Sequence, residues 1–324
     1  MNVVLIGGSG QDAFYLTKHL SDSGNNVYWI YRNSIKIYEK YIQSKRIKCF
    51  RVSSYSYQEI SSCLSNFSYD SVVLIAGAVG NQLARKAPIG LYETNTQILF
   101  AICSLILNSK HKPHLYYFSS CDIDGRTSTS PFIFSPSSLS IPSTTYGLSK
   151  RHSAELLKTL VKSGELSSTI VYLGMHESFC RQGNYVLSKV KSLIRSKLTN
   201  LDLNQVSFGN LDIWLDIGFA PDFMEAIGDL IMAEFRPLEI TIGTGKYTHL
   251  KLLCQSILED YQIPFDQYVT FDQSSNQPTF YPLMPSSFIG QHSLDDSSVR
   301  LLTNGPSPLT AQMLKSEEHA FKVN

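Results

Sequence analysis

Val3-Val4-Leu5-Ile6-Gly7-Gly8-Ser9-Gly10-Gln11-Asp12-Ala13 stands at the start of the chain, and its reading decides the fold. Four apolar residues, three of them β-branched, form a short buried strand. Three glycines then break it, and a helical pattern runs from about Gly10 to Ser23. The spacing is G-x-x-G-x-x-A. Glycine permits the sharp turn and lets backbone N–H groups approach a pyrophosphate, whose charge is favoured at a helix N-terminus. A lone glycine motif carries little weight, but one between the first strand and the first helix of a βαβ chain is specific. Gly7, Gly10, Gln11 and Asp12 are therefore candidate cofactor-binding residues.

Working outward, β-branched runs recur at Val27–Tyr31, around Cys49, from Ser71, in HLYYFSS ending at Ser120, and in STIVYLG ending at Gly174. Longer helical patterns separate them. Apolar strands alternating with helices imply an α/β fold, a Rossmann-type doubly wound parallel sheet, with the strand C-termini and the ligand along one edge. Residues 1–174 are expected to form the dinucleotide-binding domain. From Met175 the pattern turns Ser-, Gln- and Pro-rich, which implies a smaller C-terminal substrate-binding region over 175–324, interleaved with the first. The Ser/Pro-rich segment from Arg126 to Pro142 reads as a mobile loop ahead of a helix, and the polar tail after Asp295 as partly disordered.

Composition narrows the function. The 324 residues are 43% hydrophobic and 17% charged, with net charge +1, so no electrostatic footprint for nucleic acid or an anionic membrane exists. The apolar run Ile98–Leu107 is about half of what a bilayer needs and reads as a buried helix. The opening MNVVLIGG has neither a basic n-region nor a cleavage site. Six cysteines lack CxxC or metal spacing, which suits reduced, buried thiols and no metal site. A cytoplasmic protein without nucleic-acid or membrane partners is expected.

The end of the second strand chooses between NAD and NADP. A carboxylate there binds a ribose 2′-hydroxyl, whereas an arginine accommodates a 2′-phosphate. Tyr31-Arg32-Asn33-Ser34 offers no carboxylate. Arg32 can pair with the phosphate bidentately and Ser34 can add a hydrogen bond, so NADP is expected. Further on, Tyr146-Gly147-Leu148-Ser149-Lys150 places Tyr and Lys four apart on one helix face. An ammonium beside a phenol favours the phenolate, making the tyrosine a proton relay for hydride transfer at an alcohol carbon. Ser119-Ser120 precedes this pair at the end of a strand, where a hydroxyl can reach a substrate.

Glycine turn, strand-end serine and YxxxK, in that order, resemble the extended short-chain dehydrogenase/reductase family. The resemblance implies Tyr146 as acid/base, Lys150 lowering its pKa and holding nicotinamide ribose, and Ser120 hydrogen-bonding the reacting oxygen. It also implies cofactor roles for Asn95, Gly77 and His176, and a homodimer or homotetramer. Within the family, several segments resemble the GDP-mannose 4,6-dehydratases: GGSGQDAFYL from Gly7, His176-Glu177-Ser178 with Arg181, Asn184 and Lys189, and FGNLDIWLDIGFAPDFMEA from Phe208. Those enzymes act on a nucleotide-activated hexose, oxidising carbon 4, eliminating water across carbons 5 and 6, and returning the hydride to carbon 6. A GDP-sugar is the partner implied, with Arg181, Asn184 and Lys189 as candidate substrate contacts.

The chain also departs from that pattern. The Thr-x-Glu that supplies the carbon-5 base is Ser120-Cys121-Asp122 here, with a carboxylate one methylene shorter. Leu215 stands where those enzymes have an arginine, and Tyr281 and Met284 stand for an Arg and a Glu associated with the nucleotide. Ser119-Ser120-Cys121-Asp122-Ile123 is in turn similar to the strand end of GDP-4-keto-6-deoxymannose reductases. A nucleotide 4-keto-sugar reductase or epimerase is therefore the alternative, with a non-catalytic NADP-binding module as a third reading. Cys121 is read as a packed thiol, the alternative being a proton donor beside the reacting position, in place of Asp122 as the second catalytic group. Asp216 and Asp222 are read as caps of turns and helix starts.

Overall fold

The computed structural model describes residues 1–35, 38–45, 47–65, 67–78, 86–181, 185–233, 236–271, 278–289 and 306–323, with side chains left out at 287–289 and 318–323. The first half runs β1 (Asn2–Ile6), α1 (Gln11–Asp22), β2 (Asn26–Tyr31), α2 (Glu39–Lys45), β3 (Lys48–Arg51), α3 (Tyr57–Leu64), β4 (Ser71–Leu74), α4 (Pro88–Asn108) and β5 (His114–Ser120). It continues through α5 (Thr145–Lys162), β6 (Ser168–Leu173), β7 (Met175–Glu177), α6 (Val186–Leu198), β8 (Val206–Phe208), β9 (Ile213–Leu215) and β10 (Ile217–Phe219). Then come α7 (Ala220–Met232), β11 (Glu239–Thr244), β12 (Thr248–His249), α8 (Leu250–Glu259), α9 (Phe265–Tyr268), β13 (Val269–Phe271), β14 (Thr279–Phe280), β15 (Pro285–Ile289) and α10 (Ala311–Val323).

The main sheet has the order β15-β11-β6-β5-β4-β1-β2-β3, parallel throughout except for β15, which runs antiparallel to β11. This is the doubly wound arrangement the opening motif implies, with β1 and β4 flanking the point where the strand order reverses. Both faces of the sheet are covered. Val3, Leu5, Trp29, Val73, Tyr116 and Phe118 face one layer, shared with α1 and α7. Val4, Ile6, Tyr28, Ile30, Val72 and Leu74 face the other, shared with α3, α4 and α5. Burial on both sides explains why the strands read as continuous apolar runs rather than alternating ones.

Helix α4 is 21 residues long, enough by length and composition to cross a bilayer, but more than half of its most apolar stretch is buried in this second layer. The second half contributes β11 and β15 to the main sheet. It also builds a third core from α6, α8, α10 and the short strands, around Val190, Phe208, Ile257 and Leu258.

Two segments are more ordered than their composition implies. The Arg126–Pro142 loop is tied down by the fully buried Asp124 carboxylate, which pairs with the Arg126 guanidinium and accepts from Ser135 N at 2.9 Å. Arg151 of α5 donates to Ser138 O at 3.0 Å, and Phe134 N and Leu283 N exchange bonds with Leu283 O and Phe132 O at 2.9 Å each. Serine and proline content signals a lack of repetitive structure, and buried charge has pinned the segment instead. Past residue 305, the expected polar tail is partly a helix: Leu309, Ala311 and Leu314 of this segment are buried in the third core. Residues 290–305 lie outside the described residues.

Candidate active site

The glycine turn lies at the C-terminal end of β1. Gly7 has φ +111°, and a Cβ there would sit 2.6 Å from Ala76 N, so only glycine fits. Gly10 is different: a Cβ on it would meet nothing within 4 Å. Gly10 is the N-cap residue of α1 and provides no side-chain cap. The open space in front of an uncapped helix N-terminus fits an incoming pyrophosphate, which the protein's own packing does not replace. Arg32 and Ser34 are exposed beyond the end of β2, on the same edge, with the Arg32 guanidinium 5.9 Å from the Tyr55 ring centroid.

Gln11 and Asp12 turn away from this opening, toward β7. Gln11 Nε2 donates to His176 O at 3.2 Å, and Gln11 Oε1 accepts from Ser178 Oγ at 2.6 Å. His176 Nε2 lies 3.1 Å from Asp12 Oδ1, while its Nδ1 lies 2.8 Å from Gly174 O. A carboxylate and a carbonyl both need donors, so both ring nitrogens carry protons. Burial opposes that charge, but Asp12 more than offsets it and the His176 pKa is raised above its ordinary value. Asp12 correspondingly ends below its ordinary value, burial pushing it up and His176 and Arg181 pulling it down.

The catalytic candidates converge at the ends of β4 and β5. Asn95 of α4 fixes the segment after β4 by accepting from Ala78 N at 2.7 Å and donating to Ala78 O at 3.1 Å and Ser149 Oγ at 3.0 Å. Gly77 forms a ledge: a Cβ there would lie 3.2 Å from Asn95 Oδ1 and 3.7 Å from Lys150 Nζ. Lys150, buried in α5, donates to Phe118 O at 2.7 Å and sits 5.9 Å from the Tyr146 ring centroid. Gly147 lets the first turn of α5 press onto the Cys121–Ile123 turn, since a Cβ would fall 2.4 Å from Asp122 O. Ser120 is hydrogen-bonded to Tyr146, and its Oγ also accepts from Asp122 N at 3.2 Å. Gly77, Asn95, Ser120, Asp122, Tyr146 and Lys150 thus share one site, as their sequence pattern implies.

The Tyr146 phenol is raised well above its ordinary range by burial, with the Asp122 charge and Tyr117 adding to the effect and the Ser120 hydrogen bond opposing it. The ammonium is directed at the Phe118 carbonyl, and burial brings Lys150 itself down to about 8. Burial also raises Asp122, and it raises the Cys121 thiol further, with Asp122 adding to the effect. Cys121 is therefore a protonated, packed thiol.

The proposed substrate residues lie farther along the second half. Arg181 Nε pairs with Glu177 Oε1 at 3.2 Å, and the guanidinium covers Tyr185 at 4.2 Å. Lys189 donates to Ser207 O at 2.6 Å over the Phe208 ring. Asn184 lies outside the described residues. Asp216 accepts from Thr244 N, Thr244 Oγ1, Gly245 N and Met284 N at 2.8–3.0 Å, so it anchors β11 to the segment leading into β15. Asp222 accepts from Ser307 N at 3.1 Å. Leu215 and Met284, which carry no charge, are core residues at 3% and 1% exposure.

Sequence reasoning gave Ser149 and Ser178 no role of their own and read Tyr281 only as the replacement of an arginine at the nucleotide. Ser149 hides inside the YxxxK spacing. Ser178 hides in a turn whose partner, Gln11, is far away in the chain. Tyr281 reaches the site from a remote segment, and its phenol is raised by burial, Asp122 and Cys121.

A dinucleotide turn, a strand-end serine and a Tyr–Lys helix on one sheet edge define an enzyme that moves hydride at a carbinol carbon. The family model described as the NAD dependent epimerase/dehydratase family matches residues 3–241, and the chain belongs to that family. It is 26% identical over 268 residues to the GDP-mannose 4,6 dehydratase of Homo sapiens, covering 76% of this chain and 68% of that protein. The fold is similar to that of dTDP-glucose 4,6-dehydratase from Bacillus anthracis in complex with NAD, at 13% identity and TM-score 0.78, covering 100% of this chain and 97% of that one. RMD from Pseudomonas aeruginosa complexed with NADPH superposes with TM-score 0.74 at 15% identity, covering 100% of this chain and 99% of that one. A nicotinamide dinucleotide is the cofactor such a site takes.

Proposed function

We propose that this protein is an NADP-dependent dehydratase of a nucleotide-activated hexose, with a GDP-sugar favoured, working in the cytoplasm as a homodimer or homotetramer. The observation that carries this reading is the Asp122 carboxyl, held beside Tyr146 at the end of β5 with its pKa raised by burial. A carboxylate of raised pKa is a stronger base once ionised, which suits removal of a proton from the carbon next to a ketone. The human relative, a GDP-mannose 4,6 dehydratase by name, supports both the reaction class and the nucleotide.

When bound, an oxidised nicotinamide supplies a hydride acceptor and a positive charge to the site. Tyr146 takes the proton from the hydroxyl on carbon 4 as hydride leaves that carbon, and Ser120 holds the oxygen that becomes the ketone. Lys150, fixed by Phe118 O, steadies the ribose and the charge. Asp122 then accepts the proton from carbon 5, and the hydroxyl on carbon 6 departs as water, balanced by the proton that Tyr146 gained, while the proton on Asp122 is the one later returned to carbon 5. Hydride returns to carbon 6 and a proton to carbon 5, so the product is the substrate less one water. Incubation with a panel of nucleotide hexoses and NADP should yield a product lighter by one water, read by mass spectrometry. A panel in which every hexose comes back intact rejects the dehydratase.

Reduction of a 4-keto sugar is the second reading, and the raised Tyr146 pKa favours it, because a neutral phenol is ready to protonate a carbonyl oxygen. In that case Asp122 is not a base. Oxidation of NADPH by a 4-keto-hexose, with no dehydration of its parent, distinguishes the two.

The cofactor choice rests on Arg32. Replacing it by Ala removes a charge-assisted contact with a 2′-phosphate, and NADP(H) affinity is expected to fall about tenfold or more while NAD(H) affinity stays unchanged. Titration of both cofactors into both proteins measures this. Equal NADP and NAD affinities in the wild type refute the assignment.

A further inference from the structure

The C-terminal segment is stitched to the second half and ends against the cofactor helix. Phe219 N donates to Ser307 O at 3.1 Å and Leu309 N to Ile217 O at 3.0 Å, so the segment runs along β10. Leu309, Ala311 and Leu314 then anchor α10 in the third core. One turn further, Glu317 is 8% exposed. Its carboxyl lies between two elements that belong to the cofactor site. Tyr15 of α1 donates to Glu317 Oε1, and Phe179 N donates to Oε2 at 2.7 Å.

Each of these partners is one step from the Gln11 contact. Tyr15 is four residues past Gln11, on the same face of α1. Phe179 follows Ser178, whose hydroxyl donates to Gln11 Oε1 at 2.6 Å. Tyr15 OH also lies 3.2 Å from Cys180 Sγ, and Lys191 Nζ donates to Ser178 O at 2.9 Å from behind the turn. Resting on the reading of this site as a dinucleotide site, we propose that Glu317 is a positioning residue, which sets the glycine turn and first turn of α1 in register with the Ser178–Cys180 turn. Through it, docking of α10 tunes cofactor affinity. Glu317 does not touch the reacting atoms; it acts through Gln11 and Ser178.

The charge state of Glu317 makes the role testable. Burial, only partly opposed by the Phe179 and Cys180 amides, raises its pKa to about 7 from the ordinary 4.5. A group whose folded pKa is raised favours the docked state at low pH, and that contribution is lost as pH rises from about 4.5 through 7. Of the other titratable groups around it, burial pushes Cys180 up to about 12, raises Tyr38 and Glu177, and lowers Lys191; all of them are common to the variants below. His176, where burial opposes the charge and Asp12 more than offsets it, is raised and is likewise common to all the variants. A glutamine matches the protonated acid, accepting from Phe179 N and donating to Tyr15 OH.

The experiment is a titration of the full chain with NADPH and with NADH, followed by cofactor fluorescence from pH 5.5 to 8.5. In the wild type, affinity is expected to fall by several-fold between pH 5.5 and about 7 and to level off above it. Glu317→Gln keeps the tight low-pH affinity across the range, apart from the His176 contribution. Glu317→Ala weakens binding about tenfold at every pH, because the Phe179 N–H and the buried Tyr15 OH lose their partner. Tyr15→Phe provides a milder variant should Glu317→Ala fold poorly, and weakens binding by a smaller factor in the same direction. Wild-type and Glu317→Gln curves that run parallel over the whole range overturn the proposal, as does a Glu317→Ala protein with wild-type affinity. Absence of any nicotinamide binding in the wild type defeats the site reading itself and is a different outcome from either.

Discussion

Tyr146→Phe is expected to lower turnover by about 10²–10⁴-fold while leaving NADP(H) affinity within a factor of about two. Only one oxygen is removed, from a ring wedged between Ser120, Tyr117 and Asp122, so the fold and the cofactor turn keep their contacts. Hydride cannot leave a carbinol carbon unless its hydroxyl proton has somewhere to go, and Ser120 alone is far too weak a base to take it. The raised phenol adds a sign. Where the reaction begins by oxidation, the active form is the phenolate, so the wild-type rate rises with pH; where it begins by reduction, the neutral phenol serves and the rate is highest at lower pH. Steady-state rates over pH 6–9, with cofactor titrations alongside, measure both effects. Retention of more than a few per cent of wild-type turnover in the phenylalanine variant means another group relays the proton.

The parts of this site legible in the sequence are those built from neighbours in the chain. Gly7 to Ala13 declare a turn and helix start because the pyrophosphate-binding geometry is made by consecutive backbone groups. Tyr146 and Lys150 are one helical turn apart, so their shared face follows from spacing. The β1, β2, β4, β5 and β6 strands announce themselves because burial on both faces makes them apolar over most of their length, with a few buried polar residues such as Ser71, His114 and Thr169.

What was not legible depends on distant partners. Nothing in RTSTSPFIFSPSS shows that Asp124, just before it, will be buried to hold it, nor that Leu283 will pair with Phe134. Glu317 reads as one charge in a polar tail until α10 brings it to Tyr15, 302 residues away. The depth of burial that raises the Tyr146 phenol depends on distant partners in the same way. Spacing fixes which face Lys150 occupies, but the Phe118 carbonyl decides where its ammonium points, and the depth of burial decides which charge prevails.

Asp122→Asn is the change that separates elimination from simple redox chemistry, and dehydration should fall by about 10²–10⁴-fold. The amide keeps the size and the backbone bond from Asp122 N to Ser120 Oγ, so the Cys121–Ile123 turn stays in place. Oxidation at carbon 4 needs Tyr146, Lys150, Ser120 and the cofactor, none of which is altered. The variant should therefore still form enzyme-bound NADPH, visible as absorbance in the near ultraviolet, and stall there. Asp122→Glu restores the carboxylate with one more methylene and is expected to preserve or raise the rate, since the shorter acid has farther to reach. The Asp122 charge is also one of the influences holding the Tyr146 phenol up. Removing it lowers that pKa, so the alkaline limb of the oxidation step moves to lower pH in Asp122→Asn. A structural bystander at position 122 predicts neither the stalled NADPH nor the shifted limb. Should both variants dehydrate a confirmed substrate at the wild-type rate, Asp122 is not the base. Tyr281, whose phenol faces the same carboxyl, then becomes the residue to replace.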